Sequence, residues 1–250
     1  MKKIRLVRLV ITLTIISITL QYCASKKERS VRDESPAVDD KYAPARNYLE
    51  KGADEEEGFG LYSYILFSQR PDKDDSIKYA ELINTYINKI PVLNELIEYI
   101  DDSSINVVYY PTIEAPEFIL DTLSREQSID WLIENYDYAR ALAYLKKIDA
   151  DLREGPYIIS YKIPLSKAGV VKENYLLQDF SKVHYKVVSL WVDEFLKQSS
   201  QIEYWNEEQL DNFGNDLRNA IAYGAEGLIE IKKSFGWWEE SLQGWIVFRN

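Results

Sequence analysis

Leu-Tyr-Ser-Tyr-Ile-Leu-Phe, residues 61–67, is the stretch that decides the fold. It is aromatic and branched, and it lies between Gly60 and the Arg70-Pro71 turn. Short apolar runs bounded in this way are typical of buried strands. Residues 105–110 and 157–163 have the same character, and each is followed by a proline. The sequence therefore predicts a small sheet of three strands, with residues 244–248 as a candidate fourth strand at an edge.

Helical periodicity fills the segments between these strands. Apolar residues follow Ser76 at spacings of three and four, and another set follows Pro91. Ser124 and Gln127 form a capping-box pattern at the start of a long helix, continuous or broken once. Two more helices are predicted after Ser181 and Asn206. We therefore predict an α+β fold, mainly helical, with helices packed on a small three- to four-stranded sheet.

Composition favours one globular domain behind a polar leader segment. The chain has 250 residues, of which 46% are apolar, enough for a sizeable core. Residues 26–41 are rich in charge and poor in large apolar side chains, which is typical of segments that cannot bury enough surface to fold. We predict a flexible tether over residues 23–44 and a single globular α+β domain over residues 45–250.

The N-terminus has the pattern of an export signal. Lys2, Lys3, Arg5 and Arg8 precede an uncharged run from Leu9 to Leu20. A helix of about 12 residues spans ~18 Å, against a hydrocarbon core of ~30 Å, so the run is short for a permanent membrane span. A plain secretory signal and an uncleaved anchor are the two alternatives.

The residues that follow this run decide between the alternatives. Leu20-Gln21-Tyr22-Cys23-Ala24-Ser25 resembles the lipobox of bacterial lipoproteins, which has a Leu three residues before a Cys. The resemblance implies that residues 1–22 are a lipoprotein signal peptide and that Cys23 is the lipidation site. It carries a diacylglycerol on its sulfur and usually a third acyl chain, such as palmitate, on the new amino group. Two or more acyl chains anchor a protein stably. In the family, Asp after the Cys retains a lipoprotein at the inner membrane, so Ala24 favours the outer membrane.

The charge balance restricts the partners. The formal net charge is −11, and residues 1–22 contain four of the 30 basic residues and none of the 41 acidic ones. The mature chain is therefore still more acidic, which disfavours binding to nucleic acid and to anionic headgroups. We expect the chain to meet the membrane through its covalent lipid, with an envelope protein as a further partner.

The catalytic inventory of the sequence is small. His184 is the single histidine and Cys23 the single cysteine, which excludes Ser-His-Asp and Cys-His catalysis and zinc sites with two histidines. No phosphate-binding glycine loop or nucleophile elbow is present. We predict no catalytic residue, no cofactor and no metal site. His184 lies among apolar residues, so we interpret it as a half-buried structural histidine.

These patterns leave three functional hypotheses. The first is an envelope lipoprotein with a binding or interaction domain. The second is a carbohydrate-active enzyme that uses a carboxylate pair, because sugars stack on aromatic rings and Trp237, Trp238, Glu239 and Glu240 are adjacent. The third is a structural subunit of an envelope complex. The tyrosines of the predicted strands could line a groove, but packing is the favoured interpretation.

Overall fold

A mixed sheet forms the centre of the protein in the computed structural model. The structure describes residues 41–148, 155–169, 175–205 and 245–248, together with Phe213, Asp216, Leu217 and Ala220. The strands within these residues are β1 (Ala43–Glu50), β2 (Leu61–Phe67), β3 (Ile105–Thr112), β4 (Pro156–Tyr161), β5 (Tyr175–Asp179) and β6 (Trp245–Phe248). They form one sheet in the order β1-β3-β2-β4-β5-β6.

Six α-helices lie in the described part of the chain, and four of them have ten residues or more. They are α1 (Ser76–Lys89), α2 (Leu93–Leu96), α3 (Glu117–Leu120), α4 (Arg125–Glu134), α5 (Tyr138–Lys147) and α6 (Tyr185–Ser199). Short 3-10 segments cover Asp102–Ser104 and Ile202–Trp205. Among the described residues, no helix combines the length and the apolar character that a membrane span requires.

The sheet is parallel at one end and antiparallel at the other. β3 lies between β1 and β2 and runs parallel to both, whereas β2, β4, β5 and β6 pair antiparallel. The parallel pairing of β2 with β3 requires a crossover connection, which contains α1. Because β1 pairs only with β3, it lies at an edge of the sheet.

Both faces of the sheet are covered by helices. Tyr64 and Phe67 of β2 point to opposite faces, because side chains alternate along a strand. The Phe67 ring contacts Tyr79 of α1 at 4.7 Å between centroids, and the Tyr64 ring contacts Tyr144 of α5 at 5.5 Å. We refer to these as the α1 face and the α5 face. α6 packs beside α1.

Buried aromatic side chains supply much of the core. Burial of one aromatic side chain removes a large apolar area from water, and edge-to-face ring contacts add to that stabilisation. On the α1 face, Tyr110 meets Tyr86 and Tyr136 with ring centroids 5.5 and 5.0 Å apart. The largest fully buried side chains include Trp191, Phe67, Phe180, Tyr64, Tyr79, Tyr86, Tyr109, Tyr110, Tyr136, Tyr157, Tyr161 and Tyr175.

A polar network crosses the same core. The Ser63 hydroxyl lies 2.8 Å from Asn106 Oδ1 and 2.7 Å from the Ser160 hydroxyl, and Asn106 Nδ2 donates to Ser200 Oγ at 2.9 Å. These residues belong to β2, β3 and β4 and to the end of α6. A slip of one residue in any of these strands would leave buried polar groups unpaired, so the network fixes the strand register.

The first described residues are attached at two places. The Tyr42 N–H donates to Ser200 O at 2.7 Å, and Lys41 forms an antiparallel bridge with Gln201. The Lys162 ammonium donates to the Tyr42 hydroxyl and lies 4.7 Å from the centre of its ring. The chain therefore enters the domain beside the C-terminal end of α6 before it joins the sheet as β1.

The α+β class is confirmed, whereas the predicted detail of a mainly helical chain on three to four strands is wrong. The described residues contain six strands. The strands predicted at residues 61–67, 105–110 and 157–163 are β2, β3 and β4, and β6 is the predicted edge strand. β1 and β5 contain charged and amide side chains, so they lack the continuous apolar run that predicts a buried strand.

Two predicted helices also meet the structure differently. The capping box is present, with Gln127 N–H donating to Ser124 Oγ at 3.3 Å, but the long helix breaks once into α4 and α5. The helix predicted after Pro91 is wrong beyond the one turn of α2. It also begins later than predicted, because Val92 is extended and pairs with Arg46 of β1. The predicted helix after Asn206 lies mostly outside the described residues.

Candidate functional site

The predicted site residues lie outside the part of the chain that the structure describes. Cys23 precedes Lys41, and Trp237, Trp238, Glu239 and Glu240 fall between Ala220 and β6. Lipidation at Cys23 and ligand binding at the tryptophan cluster therefore stay predictions.

The tyrosines of the strands are core residues. Both faces of the sheet are covered, so the packing interpretation is confirmed and the alternative of a tyrosine-lined groove is wrong. The six side chains concerned are each at most 2% exposed: Tyr62, Tyr64, Tyr109, Tyr110, Tyr157 and Tyr161.

His184 is a half-buried helix cap. It immediately precedes α6, and its Nδ1 accepts a hydrogen bond from the Lys186 N–H at 3.3 Å. Burial lowers the pKa of His184, and the charges of Lys186 and Lys78 lower it further. The predicted half-buried position of this histidine is confirmed.

A buried carboxylate lies on the α5 face. Glu55 belongs to the loop between β1 and β2, whose turns at Gly52 and Gly58 have φ values of 86° and 104° that favour glycine. The Glu55 side chain is only 4% exposed. Its Oε1 accepts hydrogen bonds from the Tyr144 hydroxyl at 2.8 Å, the Tyr64 hydroxyl at 3.0 Å and the Ser166 N–H at 3.2 Å.

The neighbours of Glu55 keep it ionised. Burial alone would raise its pKa, but hydrogen bonds from Ser166, from its own backbone and from Tyr144 hold the pKa of the carboxyl below its ordinary value of 4.5. Two cations fasten the surrounding loops. Arg140 Nη1 donates to Ala53 O at 2.9 Å, and Lys147 Nζ donates to Leu165 O at 2.6 Å. Glu55 thus joins two loops to α5.

A second charge, on Arg46, has a different setting. Arg46 lies on β1, on the α1 face, at the outer edge of the sheet. Its N–H donates to Pro91 O at 2.8 Å, and its Nε donates to Ile90 O at 2.9 Å. These bonds hold the segment between α1 and α2 against the edge strand. They also fix the base of the guanidinium group.

Most of the Arg46 guanidinium remains unpaired within the described residues. The group carries five N–H donors. Nε uses one, and Nη1 uses a second on the Tyr48 hydroxyl at 3.2 Å. No acidic side chain of the described residues forms an ion pair with Arg46; the ion pairs found there involve other cations. None of these unused donors is among the buried atoms that lack a partner, so water or a ligand can complete their hydrogen bonds.

The open side of Arg46 faces two adjoining cavities. The first has a volume of about 250 Å³ and is lined by Asn47, Val92, Leu93 and Asn94. The second has a volume of about 220 Å³ and is lined by residues that include Ile87, Leu123 and Arg125. Arg46, Leu120 and Asp121 line both. We call the two cavities together the Arg46 cleft.

The chemistry of the Arg46 cleft suits binding rather than catalysis. It combines one positioned cation with side-chain amides and an apolar wall, as ligand pockets commonly do. Asp121 and Arg125 are exposed at its rim. Nowhere in the described residues do three or more His, Cys, Asp or Glu side chains cluster to hold a metal ion. Comparisons with family models, with curated proteins and with solved structures found no match.

Sequence analysis missed both charges. Glu55 stands in an acidic run, Asp54 to Glu57, which has the composition of a solvated loop. Arg46 is one of 30 basic residues, and the groups around it come from β1, α2 and the segment from α3 to α4. No local pattern brings these segments together, so no sequence signal marked the cleft.

Proposed function

We propose that this chain is a lipid-anchored binding protein of the bacterial cell envelope, placed at the outer membrane, and that the Arg46 cleft is its binding site. The observation that carries the binding role is the half-buried guanidinium of Arg46, which has open donors and faces two cavities. Its charge selects a ligand or envelope partner with an anionic group.

The anchor rests on the N-terminal sequence. Cys23 is the only cysteine and follows a short apolar run, with Leu20 at the lipobox distance. An acidic chain is repelled by anionic headgroups, so attachment to a bilayer needs acyl chains. A lipid on Cys23 would keep the binding domain in the envelope and limit its search for ligands to that layer.

The anchor is tested by metabolic labelling. Cells that express the full chain are grown with radiolabelled palmitate, and the mature N-terminus is determined. We expect label in the protein, loss of the label in Cys23→Ala, and a mature chain that begins at residue 23. A chain that begins at Met1, or equal labelling of the Cys23→Ala variant, would remove the anchor from the proposal.

The binding site is tested by photo-crosslinking in intact cells. A photoreactive residue replaces Asn94, an exposed position in the cleft, and in a control it replaces Lys146, exposed on α5. We expect crosslinked species from position 94 that disappear when Arg46→Gln is added. Products from position 146 should not change with Arg46→Gln. Identical crosslinks at position 94 with and without Arg46→Gln would contradict a binding role for the cleft.

A further inference from the structure

We infer that the Arg46 cleft binds the free C-terminal carboxylate of a peptide. This inference rests on the proposed function, because it names the ligand of the same site. It draws on the donor geometry of Arg46, on an amide in the same cleft and on the distribution of charge there.

The guanidinium is prepared for one carboxylate. Its Nε is fixed on Ile90 O at 2.9 Å, so the plane of the group is set before a ligand arrives. The Nη2 atom and one N–H of Nη1 are not used by the described residues. Parallel N–H groups of an arginine match the two oxygens of a carboxylate, and such charge-assisted pairs are roughly twice as strong as neutral hydrogen bonds. Fixing the group in advance reduces the entropy lost on binding.

One amide in the cleft is placed to bind a peptide backbone. Asn94 is exposed in the cleft and makes no side-chain hydrogen bond within the described residues. A carboxamide offers both a donor and an acceptor, so it can pair with a peptide group in either direction.

Charge in the cleft favours a peptide terminus over a polyanion. The charged residues that line the cleft are Arg46, Arg125 and Asp121, which leaves one positive charge, and the chain as a whole has a formal net charge of −11. A single carboxylate neutralises that positive charge, whereas the acidic chain would repel a ligand with several negative groups. The apolar walls at Leu93, Leu120 and Leu123 then provide room for the last two side chains. We expect neutral or basic residues at those two positions.

The test compares a peptide acid with its amide. The full-length protein, solubilised from the envelope in detergent, is titrated with the fluorescein-labelled tetrapeptide Ala-Ala-Leu-Leu, as free acid or as C-terminal amide, and anisotropy is read. Losing a charge-assisted pair corresponds to about a ten- to hundredfold change in affinity. We expect the amide to bind more weakly by that factor. Arg46→Gln should lower the affinity for the peptide acid to that for the amide, and it should leave the affinity for the amide unchanged.

Two further variants separate charge from fold. Arg46→Lys keeps the charge but loses the planar pair of N–H donors. Its affinity for the peptide acid should therefore lie between those of the wild type and Arg46→Gln. Lys146→Gln removes an exposed charge on α5 that lines neither cavity, and it should change binding less than about threefold. The ratio of acid to amide affinity is the readout, because a variant that merely loosens the fold would weaken both peptides together.

Three results would overturn the inference. They are equal affinities for acid and amide, an unchanged acid-to-amide ratio in Arg46→Gln, and displacement of the peptide by acetate at the concentration of the peptide itself. If crosslinks from position 94 persist while no peptide binds, the ligand class is wrong and the proposed function stands. If those crosslinks are absent, the proposed function itself fails.

Discussion

Two charges of this domain, the buried Glu55 and the half-buried Arg46, differ in the groups that surround them. Glu55 is 4% exposed, and one of its oxygens accepts three hydrogen bonds from neutral groups. Arg46 is half-buried, and three of its five donors find no partner among the described residues. Oε1 of Glu55 is therefore held by the fold, while its Oε2 is buried with no hydrogen-bond partner among the described residues. The open donors of Arg46 lie beside a cleft, where water or a ligand can reach them.

The largest expected effect on stability follows from removing the buried carboxylate of Glu55. Glu55→Ala would leave the hydroxyls of Tyr64 and Tyr144 and the Ser166 N–H without their acceptor inside the core. We expect a loss of about 3–5 kcal/mol in the free energy of unfolding, measured by urea denaturation.

Glu57→Gln is the matched control, because Glu57 lies two residues away and is exposed, with Lys167 as its partner. It should cost less than about 1 kcal/mol. A loss in Glu55→Ala as small as that of the control would show that the carboxylate does not organise the two loops.

A second variant removes one donor to Glu55. Tyr144→Phe deletes the hydroxyl that donates to Oε1 at 2.8 Å and leaves the ring in place. Hydrogen bonds to charged groups contribute about 1.5–3 kcal/mol, so we expect a loss in that range by the same urea measurement. Tyr99→Phe, on a side chain that is 82% exposed, should change the stability little. Similar losses in the two variants would contradict the special position of Tyr144.

The half-buried guanidinium of Arg46 should contribute less to stability than Glu55 does. Arg46→Gln removes the hydrogen bonds to Ile90 O and to the Tyr48 hydroxyl, so we expect a loss of about 1 kcal/mol in unfolding free energy. The same variant should abolish the Arg46-dependent crosslinks from the cleft. If it destabilised the domain as much as Glu55→Ala, Arg46 would be a structural charge like Glu55, and its open donors would not indicate a binding site.

The two charges also differ in their response to pH. The pKa of Glu55 lies below its ordinary value of 4.5 in the folded state. Its ionised form therefore stabilises the fold above about pH 4.5, and this contribution is lost as the pH falls through the folded pKa. We expect Glu55→Gln to lose less stability than the wild type between pH 5 and pH 3, in urea titrations at each pH.

Removing Arg46 takes away no carboxyl group, and Glu55 keeps its hydrogen bonds in that variant. Arg46→Gln should therefore keep the wild-type dependence of stability on pH. If the unfolding free energies of wild type and Glu55→Gln changed with pH in parallel, Glu55 would have the same pKa in the folded and unfolded chains.

The sheet could be predicted where burial is uniform along a strand. β2, β3 and β4 are buried at every position, and their apolar runs end at proline or glycine, so composition alone reveals them. β1 contains Pro44, Arg46 and Asn47 and is only partly buried, as an edge strand can be. Its place in the sheet depends on β3, which lies some 60 residues away, and no local preference encodes that pairing.

The candidate site could not be predicted for the same reason. Helix α2 begins only at Leu93 because Pro91 and Val92 pair in an extended conformation with the edge strand, and this segment lines the cleft beside Arg46. The apolar spacing after Pro91 favours a helix that begins at Pro91. The long-range contact prevails because each backbone group on the edge strand needs a partner.

The entry of the chain also has a mechanical consequence. A pull applied ahead of Lys41 reaches the domain through the Lys41–Gln201 bridge and the hydrogen bond from Tyr42 to Ser200 O. The load is therefore divided between the end of α6 and the sheet, and β1 is not peeled away alone. These two contacts therefore protect β1, the strand that borders the Arg46 cleft, from a force that acts at Lys41.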